Sequence, residues 1–146
     1  MNSHRVFAAA LLAFATSVDA QVGLQQSHIE GNVPSSEAFA GFLERDLVSY
    51  FKIAGTPGVT AAEYKLLREA PTQSGVAFPK YYAWVKVFAG SLSITEGAVR
   101  LAAVNRTGFE VTNFLSATQI RAAPNEVAKV FPSALVPLVL ERAGVK

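Results

Sequence analysis

The chain has no cysteine, one methionine, one tryptophan and two histidines in 146 residues. The missing cysteines exclude disulfide staples, thiolate nucleophiles, a lipoprotein attachment point and every zinc site built on sulfur. His4 lies among the first few residues, which leaves His28 as the sole imidazole for a base or ligand in the body of the chain. A Ser-His-Asp triad would have to be built on it. The pair His28 and Glu30 matches half of a deaminase signature whose cysteine ligands do not exist here. No metal site and no cofactor is expected. Charge is sparse as well: 16% of residues are Asp, Glu, Lys or Arg, with thirteen basic against eleven acidic. That even balance, with the basic residues dispersed, argues against a nucleic-acid partner. No apolar run approaches the roughly twenty residues of a membrane span.

What is present starts with a leader. Arg5 precedes an apolar run over residues 6–15, and TSVDA follows, with Val18 and Ala20 at the small-residue positions before a cut ahead of Gln21. This is the order of a secretory signal peptide over residues 1–20, and it predicts a secreted or periplasmic protein with no membrane span after cleavage. Residues 21–35 (QVGLQQSHIEGNVPS) have no periodicity and read as a flexible N-terminal arm. Residues 36–146 are the length of one domain with a core of its own.

Residues 80–88, KYYAWVKVF, hold three of the five Tyr and Trp residues and read as the central strand of an antiparallel sheet. Alternation puts Tyr81, Ala83, Val85 and Val87 on an uncharged, core-facing side, and Lys80, Tyr82, Trp84, Lys86 and Phe88 on a wetter one. Either that aromatic ledge is an interface, or a helix covers it while the lysines snorkel. Before it, Phe39, Leu43, Leu47, Tyr50, Phe51 and Ala54 recur at helical spacing, so residues 36–54 form a helix stopped by Gly55, Pro57 and Gly58. Residues 59–69 fit a capping box at Thr60 and Glu63, but the bounding Gly58 and Pro71 and the need for a neighbouring strand favour an extended segment. Residues 90–97 read as a loop. A hairpin follows, with Asn105 paired to Phe109 and Gly108 left-handed, which gathers Val99, Leu101, Ala103, Phe109, Val111 and Leu115 on one face. Short helices are expected at 116–122, 124–130 and from Leu135 to Ala143, with Gly144 as the stop. The fold class is therefore α+β: an N-terminal helix on a curved antiparallel sheet of about four strands, with a helical C-terminus.

Motifs for chemistry are weak. Ser49 and Lys52 have S-x-x-K spacing without the companion elements of such enzymes. Thr72, Gln73, Ser74 and Gly75 form a polar loop that, with Lys80, suits ligand contact. Arg100 and Glu110 share a face of the hairpin, either as an ion pair or, beside Tyr82 and Trp84, orienting a polar ligand. Asn105-Arg106-Thr107 is an N-glycosylation sequon at a hairpin tip. The candidate binding residues are thus Thr72, Gln73, Ser74, Lys80, Tyr82, Trp84, Lys86 and Arg100, with no catalytic residue among them.

The order of elements over about residues 36–115 resembles the cystatin-like and NTF2-like rolls, although the cystatin Q-x-V-x-G loop has only the distant counterpart Gln73-Ser74-Gly75-Val76. Folds of this kind host several functions. The leading expectation is a non-catalytic exported binding or interaction module for a protein or small-molecule partner. A small cone-shaped enzyme is the second, with a buried carboxylate (Glu63 or Glu69) beside Tyr64 or Tyr81. A homo-oligomeric subunit of an envelope assembly is the third.

Overall fold

The computed structural model describes residues 31–75 and 77–146. The leader, its cleavage site, His28 and the arm up to residue 30 lie outside the described residues. Helix α1, Ser36–Ile53, turns Leu43, Leu47 and Phe51 inward, with Glu37 in its first turn and Lys52 in its last, matching the helix dipole. Its cap is Ser35, whose carbonyl, not its hydroxyl, accepts from Ala38 and Phe39. Gly55, at φ +86°, lets the chain leave the helix.

Four strands follow as an antiparallel meander in the order β1-β2-β3-β4: β1 Ala61–Leu66, β2 Lys80–Ala89, β3 Leu92–Val104 and β4 Gly108–Ser116. Residues 59–69 are thus extended at their centre, and Ala62, Glu63 and Tyr64 pair with Val87, Lys86 and Val85. Residues 90–97 are not a loop. Only Gly90 and Ser91 turn, with Gly90 at φ +61°, and β3 begins at Leu92 opposite Ala89. The polar run Ser91, Ser93, Thr95 and Glu96 misleads because this end of β3 is largely solvent-facing, so it carries hydroxyls and a carboxylate while remaining a strand.

The β3–β4 register also differs from the expected one. Asn105 and Arg106 themselves take positive φ, 56° and 61°, closing a tight turn in which Thr107 N donates to Val104 O. Val104 therefore pairs with Gly108 and Ala103 with Phe109, two residues from the expected pairing, so the side-chain faces survive near the turn. Farther along, Leu101 pairs with Val111 but Arg100 with Asn113, leaving Thr112 as the extra residue of a β-bulge. The bulge inverts the pleat, so Phe114 joins the first core and Leu115 the second.

Beyond β4 the chain turns straight into α2, Ala117–Ala122, through a capping box. Gln119 N donates to Ser116 Oγ at 3.1 Å, and Ser116 N donates to Gln119 Oε1 at 2.9 Å. Two 3-10 turns, Pro124–Glu126 and Ser133–Leu135, alternate with α3, Val127–Val130, and α4, Val136–Arg142. Gly144, at φ +79°, ends the last helix. The molecule is an N-terminal helix, a four-stranded open antiparallel sheet and a set of C-terminal helices, an α+β fold.

The sheet has a core on each face. On the first, Leu43, Leu47 and Phe51 pack on Tyr81, Ala83, Val85, Val87, Val99, Leu101, Ala103 and Phe109. Phe39 meets Tyr81 and Phe109 edge-on, with centroids 5.1 and 4.9 Å apart. On the second, Ile120, Val127, Phe131, Leu135 and Val139 cover Tyr82, Trp84 and Ala98. Burial of each such large side chain stabilises by about 1.5–3 kcal/mol relative to exposure. Residues 31–35, expected as the end of a loose arm, are tied down: Asn32 is buried, its carbonyl accepts from Arg106 N, and its Oδ1 accepts from Asn105 N.

Candidate functional site

The C-terminal helices leave no open aromatic ledge at Tyr82 and Trp84, which are 5% and 7% exposed. A helical cover is the arrangement in which the lysines of this face reach outward, and Lys86 does so. The eight candidate residues then separate into two groups, one around the start of β2 and one around its middle.

Around the start are Thr72, Gln73, Ser74, Lys80, Tyr82 and Arg100. Thr72 and Lys80 exchange backbone hydrogen bonds of 2.9 and 2.8 Å, so the polar loop is pinned to the start of β2. The Thr72 hydroxyl and the Tyr82 phenol lie 2.6 Å apart. Tyr82 stacks obliquely on Phe131, and Arg100 reaches from β3 to the Val130 carbonyl and to the Thr112 hydroxyl. These groups fasten the loop and α3 to the sheet. Arg100 is engaged with the bulge rather than with Glu110, which pairs across from Ala102. Gln73 donates to Ala77 O, its Oε1 is buried without a partner, and Ser74 is exposed.

Around the middle of β2, Trp84 and Lys86 border a cleft of about 350 Å³, together with Glu63, Tyr64, Lys65, Glu96 and Arg142. The strand register builds it. Glu63, Lys86 and Glu96 form one cross-strand row, and Lys65, Trp84 and Ala98 the next. Arg142 comes from the last turn of α4. Trp84 Nε1 donates to Glu96 Oε2 at 3.3 Å, which orients that carboxylate. The Arg142 Nε is buried and has no hydrogen-bond partner. Among the described residues the ion pairs are Arg45 with Asp46 and Lys129 with Glu126, so none of the five charged side chains of the cleft is ion-paired with another. No family model, no curated protein and no solved structure matches this chain.

Sequence reasoning named Trp84, Lys86 and, in another role, Glu63, but missed Lys65, Glu96 and Arg142. Reading 92–96 as a strand would have brought Glu96 onto the face of Trp84 by parity alone. Nothing local in the sequence points to Arg142, which arrives through the packing of α4. Glu63 and Glu69 are both at the surface, and neither is enclosed in an apolar cavity as a buried-carboxylate enzyme needs. Glu69 does share an open hollow with Tyr64 and Tyr81. Burial pushes both phenols above their usual pKa, with the Glu44 carboxylate adding to the effect at Tyr64. Ser49 and Lys52 flank the groove between α1 and β1 and make no hydrogen bond to each other. Asn105 stands exposed at the hairpin tip. No group of three or more His, Asp or Glu side chains with metal-binding geometry occurs among the described residues.

Proposed function

We propose that this protein is an exported, non-catalytic binding module whose ligand occupies the cleft of Glu63, Lys65, Trp84, Lys86, Glu96 and Arg142. The ligand is small and carries charges of both signs, of the size and chemistry of an amino acid or short peptide. The observation that carries the reading is the convergence of two carboxylates and three cations on one cleft with no ion pair between them. Glu63, Lys65 and Lys86 reach solvent at the cleft, Glu96 accepts from Trp84 through one oxygen only, and Arg142 keeps a buried Nε unused, so both signs of charge are available to a ligand there. Arg142 has an unpartnered buried Nε and suits a carboxylate, while Glu63 and Glu96 suit an ammonium group. Export rests on the leader of residues 1–20.

Trp84 is the only tryptophan and borders the cleft, so in the folded chain its emission responds to a ligand bound there. Titration with a panel of free amino acids and dipeptides should shift or quench that emission saturably, and Arg142→Ala and Glu96→Gln should each weaken the effect at least about ten-fold, the size of one lost charge-assisted hydrogen bond. Unchanged emission across the panel, with no adduct retained in native mass spectrometry, would sink the proposal.

A further inference from the structure

The outer edge of β1 carries a second feature, independent of what the cleft binds. Leu67 N donates to Tyr82 O at 2.8 Å, so the odd-numbered residues of β1 turn their backbone groups toward β2. Ala62, Tyr64 and Leu66 therefore aim their N–H and C=O groups away from the sheet. Among the described residues none hydrogen-bonds to them. Ala62 is buried and Tyr64 and Leu66 are half-buried, so the edge is partly shielded, yet its outward backbone groups at Tyr64 and Leu66 remain a template for another strand. The opposite edge, β4, is protected by two devices: the bulge at Thr112, and Asp46, whose Oδ2 takes the outward Phe109 N–H at 2.7 Å. Among the described residues β1 has neither a bulge nor a side-chain cap on its outward groups, and only the charges of Glu63 and Lys65 guard it.

We infer that β1 pairs antiparallel with β1 of a second copy of this chain about a two-fold axis at Tyr64, joining two four-stranded sheets into one. The outward groups permit four symmetric registers that overlap by three residues or more within the strand, centred on residue 62, 63, 64 or 65; centring on Ala62 joins only one outward pair, through two hydrogen bonds. Centring on Glu63 sets two carboxylates face to face, and centring on Lys65 sets two ammonium groups face to face; like charges directly opposite are destabilising. Centring on Tyr64 matches Ala62 and Leu66 with Leu66 and Ala62 of the second copy through about six backbone hydrogen bonds. It also places Glu63 opposite Lys65 twice, in the close, non-hydrogen-bonded positions where side chains interact best. The segment AAEYKL is thus self-complementary in charge in one register only. Glu63 and Lys65 also wall the cleft, so the second copy contributes its Lys65 beside Glu63 at the outer rim of each site.

The test is sedimentation and native mass spectrometry of the purified chain, with charge-reversal variants. The wild type should give a dimer. Glu63→Lys alone and Lys65→Glu alone should each raise the dissociation constant about ten-fold or more, since each replaces two attractive pairs by two repulsive ones. The double variant restores opposite charges and should recover the wild-type constant. Circular dichroism of each variant verifies that the subunit is folded. Because the chain has no native cysteine, Tyr64→Cys offers a second readout. Two-fold pairing at residue 64 brings the two Cα atoms to about 5.5 Å, within disulfide reach, so mild oxidation should cross-link this variant and not Ala61→Cys. A monomer at every concentration would overturn the inference, as would single reversals without effect or a double reversal without recovery. Sedimentation reads the dimer and Trp84 emission reads the cleft, so failure of either leaves the other standing.

Discussion

At the scale of the residue, two glycines with opposite surroundings show what packing demands. A Cβ on Gly97 would lie 2.7 Å from Ser116 Cα, 2.8 Å from the Phe114 ring and closer still to the Leu115 carbonyl, so β4 itself blocks it. Gly41, on the outer side of α1, has nothing within 4 Å of the same position. Gly97→Ala should cost about 3 kcal/mol or more as an overpacked site, and Gly41→Ala should gain about 0.5–1 kcal/mol from helix propensity. In thermal melts the first variant should lose on the order of 10 °C while the second rises by a few. A smaller loss at Gly97 would mean that β4 yields, which its pairing with β3 opposes. Ionisation gives a second prediction here. Burial raises the Tyr81 phenol above its ordinary pKa of about 10, so the unfolded chain loses this proton first. Stability is unaffected below pH 10 and falls as pH rises from there toward the folded value. Tyr81→Phe should flatten part of that alkaline fall in melting temperature measured from pH 9 to 12.

At the scale of the element, α1 is locked to the β3–β4 turn by a small polar cluster. Arg45 chelates Asp46 through Nε and Nη2, at 2.8 and 3.1 Å, and its Nη2 donates to Thr107 O, while Asp46 accepts from Phe109 N. Gly108 allows this approach, because a Cβ there would sit 2.8 Å from Asp46 Oδ2. Asp46→Ala strands a part-buried N–H and should destabilise by about 1–3 kcal/mol in urea denaturation, with Asp46→Asn intermediate. A near-zero cost would show that water replaces the carboxylate. The cluster also explains why the hairpin was only partly legible in sequence. Apolar periodicity, helical in α1 and of period two on the inner face of β3, is legible because burial on one side forces it, and β2 shows as a dense aromatic and β-branched run. Turn chemistry suggested that Gly108 was the left-handed residue, yet its value lies in contact with α1, sixty-two residues from Asp46 to Gly108, which no local pattern encodes. The bulge at Thr112 was hidden for the same reason: its one sequence trace is the polar Asn113 between Val111 and Leu115, where the chain shifts register. The cleft inherits both limits, since Glu96 depended on reading β3 to its start and Arg142 on tertiary packing.

At the scale of the molecule, one thin sheet serves two cores. Strand β2 sends Tyr81, Ala83 and Val85 into the layer under α1 and Tyr82 and Trp84 into the layer under the C-terminal helices. The latter helices are short, four residues in α3 and seven in α4. Isolated helices of that length are unstable in water, so they exist only while Phe131, Leu135 and Val139 stay on the sheet. The sheet in turn needs them, because without that cover Tyr82, Trp84, Ala98 and Leu115 would open a contiguous apolar patch. Neither layer has a stable state without the other, and unfolding should be a single cooperative step. Trp84 reports on the second layer, and far-UV circular dichroism is weighted toward α1 and the sheet. Urea titrations followed by the two probes should therefore superimpose, with one midpoint. A red shift of Trp84 at lower urea than the loss of ellipticity would show the C-terminal layer peeling away first. The strand would then be held by α1 alone, and the cleft, whose Arg142 rides on α4, would be lost before the fold is.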